Sequence, residues 1–111
     1  MAAIPADLIP TLRQFVAYVS AQARVDEVVL FGSYARGSAD TWSDIDLAVV
    51  SPDLADPAVR IPLLSMAKVV INPAISAMAF TPDEWADPDP TSFVHEIQAT
   101  GVRVPLGAGP A

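Results

Sequence analysis

The sequence predicts an α/β fold in which short strands alternate with helices. Two stretches carry that expectation. From Val28 to Val50, VVLFGSYARGSADTWSDIDLAVV, two apolar runs flank Gly32 and Ser33, reading as strand, small polar turn, short helix and strand. Ahead of it Leu8, Leu12, Phe15, Val16, Val19 and Ala23 recur at helical spacing.

Taken in order, Asp7 is the expected N-cap of the first helix, and Pro10 is tolerable because it falls in the first turn. Val28 to Phe31 is continuous enough to be a strand buried on both faces. The polar segment Ser38 to Ser43 holds Asp40 and Trp42, and Trp42 is expected to cap the core edge rather than to lie against a base. A second strand runs from about Asp44 to Val50. Asp56 and Pro57 suit an N-cap and first helical residue, yet the stripe of Ile61, Leu64, Ala67, Lys68 and Ile71 places the helix proper from about Pro62. Asn72 and Pro73 stop it. Ala74 to Phe80 reads as a third strand, with Ile75, Ala77 and Ala79 alternating against Ser76, Met78 and Phe80.

Thr81-Pro82-Asp83-Glu84 spells a capping box, so a short helical turn carrying Trp85 is expected, with Asp83 and Glu84 explained as helix starters. Phe93, Val94 and Ile97 mark the apolar side of a last helix ended by Gly101. His95 lies off that stripe and is expected at the surface. Val102 to Val104 suits a short final strand, and 106–111 a frayed tail.

The spacing of Asp44 and Asp46 points to chemistry. In an extended strand alternate side chains share a face, which sets these carboxylates roughly 6.6 Å apart along the chain, while Ile45, Leu47 and Val49 turn to the core. Two such acids repel, and a divalent cation, most commonly Mg²⁺, relieves them. Gly32 permits close backbone approach, Ser33 offers a hydroxyl and helix-start N–H groups to phosphate oxygens, and Arg36 lies one turn on. Together these residues describe a Mg²⁺-triphosphate site.

Composition bounds the rest. The 111 residues suit one domain, 1–111, with its core over about 8–104 and no room for a separate acceptor-binding domain. No apolar run reaches the ~18 residues of a membrane span, and no signal peptide is legible. Without cysteine there is neither a disulfide framework nor a thiolate metal site, and a cytoplasmic protein is the default. Thirteen acidic against six basic residues give a net charge of -7, which disfavours a polynucleotide partner.

Gly32-Ser33, a ten-residue interval and Asp44-Ile45-Asp46-Leu47 resemble the signature of the DNA polymerase beta-like nucleotidyltransferase superfamily. Gly32-Ser33-Tyr34-Ala35-Arg36-Gly37 with Ser43-Asp44-Ile45-Asp46 is most similar to its minimal nucleotidyltransferase branch. The likeness runs from about Leu8 to Val104. It implies a small mixed sheet of three to four strands flanked by helices. It also implies in-line transfer of a nucleoside monophosphate, AMP from ATP, to an acceptor hydroxyl. Two Mg²⁺ ions about 4 Å apart would be held by Asp44 and Asp46, with the β- and γ-phosphates on Gly32, Ser33 and Arg36.

The family pattern places a third carboxylate at Ser76, which is not acidic, with Ala74, Ala77 and Ala79 around it; Asn72, Asp83 or a partner's residue could substitute. The favoured reading is an enzyme of a toxin-antitoxin pair that modifies a tyrosine of a HEPN-type helical partner. A degenerate Mg-NTP-binding module that acts by docking is the second, and a small-molecule transferase acting on a cationic, aminoglycoside-like acceptor the third. A homo-oligomer is compatible with each.

Overall fold

The computed structural model describes residues 4–107. Nine elements follow in order: α1 Ile9–Ser20, β1 Glu27–Phe31, α2 Ser33–Arg36, β2 Ile45–Val50, α3 Pro57–Val70, β3 Ile75–Phe80, α4 Pro82–Trp85, α5 Phe93–Thr100 and β4 Val102–Arg103. The strands form a mixed sheet in the order β3-β2-β1-β4, with β2 antiparallel to β1 and parallel to β3. This is the small mixed sheet flanked by helices that the sequence predicts.

The alternation of β2 and β3 decides what each face holds. Ile45, Leu47, Val49 and Ile75 are buried on one face, against Leu12, Phe15 and Val19 of α1 and Leu63, Leu64 and Ala67 of α3. Tyr18 ties these helices together by donating its hydroxyl to the Leu63 carbonyl at 2.7 Å. The opposite face is covered only in part. There Ile97 of α5 packs on Val29 and Ala48, with Phe31, Phe80 and Trp85 at the margins. Asp46 and Ser76 belong to this second face, beyond the patch that Ile97 covers.

Several boundaries differ from those expected. Asp7 lies in a short 3-10 turn, Ala6–Leu8, and caps nothing; α1 begins after it, with Leu8 at the cap position and Pro10 in the first turn. α1 ends at Ser20, so Ala23 packs against the core from the following turn. α3 starts at Pro57 rather than near Pro62, because the Asp56 carboxylate accepts the Ala58 N–H at 2.9 Å and fixes the first turn; Pro62 lies inside the helix. Its buried stripe runs through Leu63, not Ile61, which is 58% exposed. Trp42 is 89% exposed and caps no core edge.

Other local readings hold. Thr81 and Glu84 form the capping box, Thr81 Oγ1 accepting the Glu84 N–H and Glu84 Oε1 the Thr81 N–H. β3 alternates as expected. His95, expected at the surface, is instead half-buried, because its ring packs against the Asp87 carbonyl. Gly101 ends α5 with ordinary negative φ, so the left-handed cap is not its purpose. A Cβ there would stand 2.4 Å from Val29 Cγ1 and 2.6 Å from the Ile97 carbonyl oxygen, so glycine is what lets α5 close on β1. Of the tail expected over 106–111, residues 108–111 lie outside the described residues. Among the described residues no helix is long and apolar enough to cross a membrane.

Candidate functional site

The site grows out of the turn between β1 and α2. β1 delivers Phe31, after which Gly32 adopts φ 73° and ψ -150°, a conformation in which L side chains are strained. The chain then enters α2 at Ser33, whose first N–H groups have no partner within so short a helix. Gly37, with φ 76°, ends it. The returning chain is shaped by Asp40, which accepts the Trp42 N–H at 2.8 Å and the Ser43 hydroxyl at 3.2 Å.

Asp44 comes next and precedes β2 rather than opening it. It is exposed, whereas Asp46 is half-buried within the strand. In register Asp46 lies between Phe31 on β1 and Ser76 on β3. The Asp46 carboxylate reaches back over the turn: a Cβ on Gly32 would stand 2.2 Å from Asp46 Oδ2. Glycine at 32 is thus required twice, by the backbone angle and by the acid above it.

The electrostatics agree with this convergence. Burial is the largest cause holding the Asp46 carboxyl above its ordinary range, the negative charge of Asp44 adds to it, and the Arg36 guanidinium pulls the other way. All three side chains therefore share one electrostatic neighbourhood. Gly32, Arg36 and Asp46 also border one open cavity of ≈ 240 Å³. A nearby cation would relieve the Asp44–Asp46 repulsion, and Mg²⁺ characteristically takes one or two protein carboxylates and completes its shell with phosphate oxygens and water. The residues present fit that role. Among the described residues no three His, Asp or Glu side chains form a metal-holding group.

The far wall of the cavity is α5, which the sequence reading did not assign to the site. Phe93, Glu96, Ile97 and Thr100 all line it. The i, i+3, i+4, i+7 spacing of these four was the available signal, since it puts them on one helix face. Phe93 meets Phe31 edge-on with ring centroids 5.9 Å apart, which pins the start of α5 beside Asp46. Asn72 and Asp83 do not border the cavity. The Asn72 side chain instead accepts the Ala74 N–H at 2.8 Å, and Asp83 lies in the first turn of α4.

A turn held open by glycine beneath a paired carboxylate agrees with what comparison finds. The model of the nucleotidyltransferase domain matches residues 12–73, more than half of the chain. The chain belongs to this nucleotidyltransferase family. A candidate protein adenylyltransferase of Methanocaldococcus jannaschii is 30% identical over 107 residues, spanning 88% of this chain and 99% of that one. Two crystal structures share the fold at 18% identity, each overlapping 83% of this chain and 70% of the other. One, at a TM-score of 0.65, is a toxin-antitoxin with AMP-PNP; the other, at 0.59, is the MntA-HpeT toxin-antitoxin carrying two Asp-to-Glu changes. The expected family and fold are thereby established.

Proposed function

We propose that this nucleotidyltransferase moves AMP from Mg²⁺-bound ATP to an acceptor hydroxyl, a tyrosine of a helical HEPN-type partner. The observation that carries the reading is the Asp46 carboxylate standing over Gly32 in a cavity shared with Arg36. Asp44 and Asp46 would hold Mg²⁺, which when bound supplies charge to phosphate oxygens. The N–H groups that open α2 and the Ser33 hydroxyl hydrogen-bond the β- and γ-phosphates, and Arg36 adds a charge-assisted contact.

In the transfer the acceptor oxygen bonds to the α-phosphorus as the bond from that phosphorus to the bridging oxygen breaks. Pyrophosphate leaves, and the acceptor proton passes to solvent. Ser76 sits beside Asp46 in register, where the family pattern has an acid, and a hydroxyl there takes up no proton at neutral pH. Glu96 brings another carboxylate to the same cavity from α5.

The toxin-antitoxin fold neighbours support a protein acceptor, as does the protein adenylyltransferase relative. Incubation with a co-purified helical partner, Mg²⁺ and ATP labelled at the α-phosphate is expected to label a partner tyrosine and release pyrophosphate. The Asp44→Asn, Asp46→Asn variant is expected to do neither. Ser76 favours a second reading, a module that binds Mg-ATP and docks without transfer. Binding of ATP with no label on any partner would select it over the first.

A further inference from the structure

A second cavity, ≈ 480 Å³, runs along the free edge of β3. Among the described residues β3 borders β2 alone, so one of its edges has no neighbouring strand. The Ile45 N–H donates to the Ala74 carbonyl and the Ser51 N–H to the Phe80 carbonyl, which turns the even-numbered residues of this stretch toward β2. By the alternation of a parallel ladder, Ala77 and Ala79 direct their N–H and C=O groups outward into the groove. Folded proteins commonly guard such an edge with a charge, a proline or a bulge. The six residues Ile75 to Phe80, ISAMAF, contain no charge and no proline, and they pair with β2 without a bulge.

One wall of the groove carries the opposite sign to the chain. Net charge is -7, yet Arg60 and Lys68 of α3, two of only six basic residues, line one wall. Among the described residues neither forms an ion pair; they reach only the Ala55 and Pro73 carbonyls. The acid on the other wall, Glu84, accepts the Thr81 N–H in its capping box. Phe93 lines this groove and the Asp46 cavity alike, and Ser76, beside Asp46 in register, lies within it.

We propose that this groove takes an extended, acidic polypeptide segment as a fifth strand on β3. Main-chain hydrogen bonds to Ala77 and Ala79 give the segment its register, and Arg60 and Lys68 select its charge. Alternate side chains of an added strand fall on the Ser76 face, which brings a hydroxyl on one of them toward Asp46. That use as an acceptor rests on the proposed transfer; the docking does not.

The test uses a random glutamate-tyrosine copolymer as probe and a lysine-tyrosine copolymer as control, with the unmodified chain. The acidic copolymer is expected to slow amide hydrogen exchange at Ala77 and Ala79, and the basic one to leave it unchanged. Ala79→Pro removes an outward N–H at a place where an edge strand tolerates proline, and is expected to bind the acidic copolymer about tenfold more weakly. Thermal melting checks that this variant is folded. If it is not, Arg60→Glu with Lys68→Glu is expected to weaken binding at least as much.

No protection at Ala77 and Ala79 by the acidic copolymer, or equal protection there by the basic one, would overturn the proposal. So would sedimentation of the unmodified chain as a dimer that Ala79→Pro dissolves, since a second copy would then own the edge. ATP binding, measured separately by calorimetry, keeps the two ideas apart. Copolymer docking without ATP binding sinks the nucleotide site alone, and ATP binding without edge protection sinks the groove alone.

Discussion

Replacing Gly32 with alanine strikes the site at the contact on which the rest depends. The new methyl carbon would lie 2.2 Å from Asp46 Oδ2, 3.1 Å from its Cγ and 3.3 Å from its Cβ. Oδ2 must move by about 1 Å to reach ordinary separation, and Cγ and Cβ must give by a few tenths of an ångström as well, which turning the carboxylate alone does not supply. Displacement on that scale lowers the rate of a positioned reaction by about 10²-fold. The backbone adds its own penalty, since φ 73° with ψ -150° is strained for any residue with a Cβ, by about 1–3 kcal/mol. At roughly 5 °C per kcal/mol for a chain of this length, melting should fall by about 5–15 °C.

Gly37→Ala is the matched control. Gly37 also has positive φ, 76°, but nothing lies within 4 Å of the Cβ it lacks. It should lose stability through the backbone alone, about 1–2 kcal/mol, and retain ATP binding. Calorimetric titration of both variants with Mg-ATP, beside their melting curves, separates strain from collision. If Gly32→Ala binds as tightly as Gly37→Ala, the carboxylate over the turn is not what forms the site.

Four further outcomes follow from the same geometry. Folding raises the proton affinity of Asp46, chiefly through burial and then through Asp44, so its ionised form destabilises the fold above that raised value, and stability returns as pH falls through the window down to the ordinary carboxylate range. Asp46→Asn should therefore raise the melting temperature at neutral pH without ligand, lose that advantage in acid, and still fail to bind Mg-ATP. Gly101→Ala would drive a methyl into Val29 Cγ1 and the Ile97 carbonyl, lifting α5 from β1, with a stability loss of about 1–3 kcal/mol in urea unfolding. Ser76→Glu restores an acid beside Asp46 and should raise the rate of α-phosphate labelling; an unchanged rate would mean that the natural chain lacks nothing at that position. Arg36→Ala should weaken Mg-ATP binding in calorimetry and push the Asp46 proton affinity higher, because the guanidinium now opposes that rise.

Much of the fold was legible because local rules and tertiary packing agree in it. The alternation of Ile75, Ala77 and Ala79 against Ser76, Met78 and Phe80 survives intact, and so does the capping box at Thr81 and Glu84. Where the reading failed, a local cue was outweighed by a competing one. Pro62 suggests a helix start, but the Asp56 cap six residues before the proline sets it. Trp42 suggested a core edge, but its loop is shaped by Asp40 and leaves the ring in solvent.

The site divides in the same way. Gly32 and Asp46 are brought together by a strand, a turn and an adjacent antiparallel strand, which is short-range topology that spacing reveals. The α5 wall arrives from some fifty residues later, and its direction over the sheet depends on Gly101 fitting against Val29. The apolar pattern of Phe93, Val94 and Ile97 points to a core stripe and hides that Glu96 and Thr100 share the cavity face of that helix. Ser76, by contrast, is marked by the family resemblance, which implies an acid at that position, and the register of β3 sets it beside Asp46.

Calorimetric titration of the unmodified chain with ATP in the presence of Mg²⁺, repeated on Asp44→Asn with Asp46→Asn, tests the central claim most directly. Saturable binding of one nucleotide per chain, dependent on the metal and lost in the double variant, is the predicted result. No heat from the unmodified chain, or equal binding by the variant, would contradict a nucleotide site built on this turn and these two carboxylates.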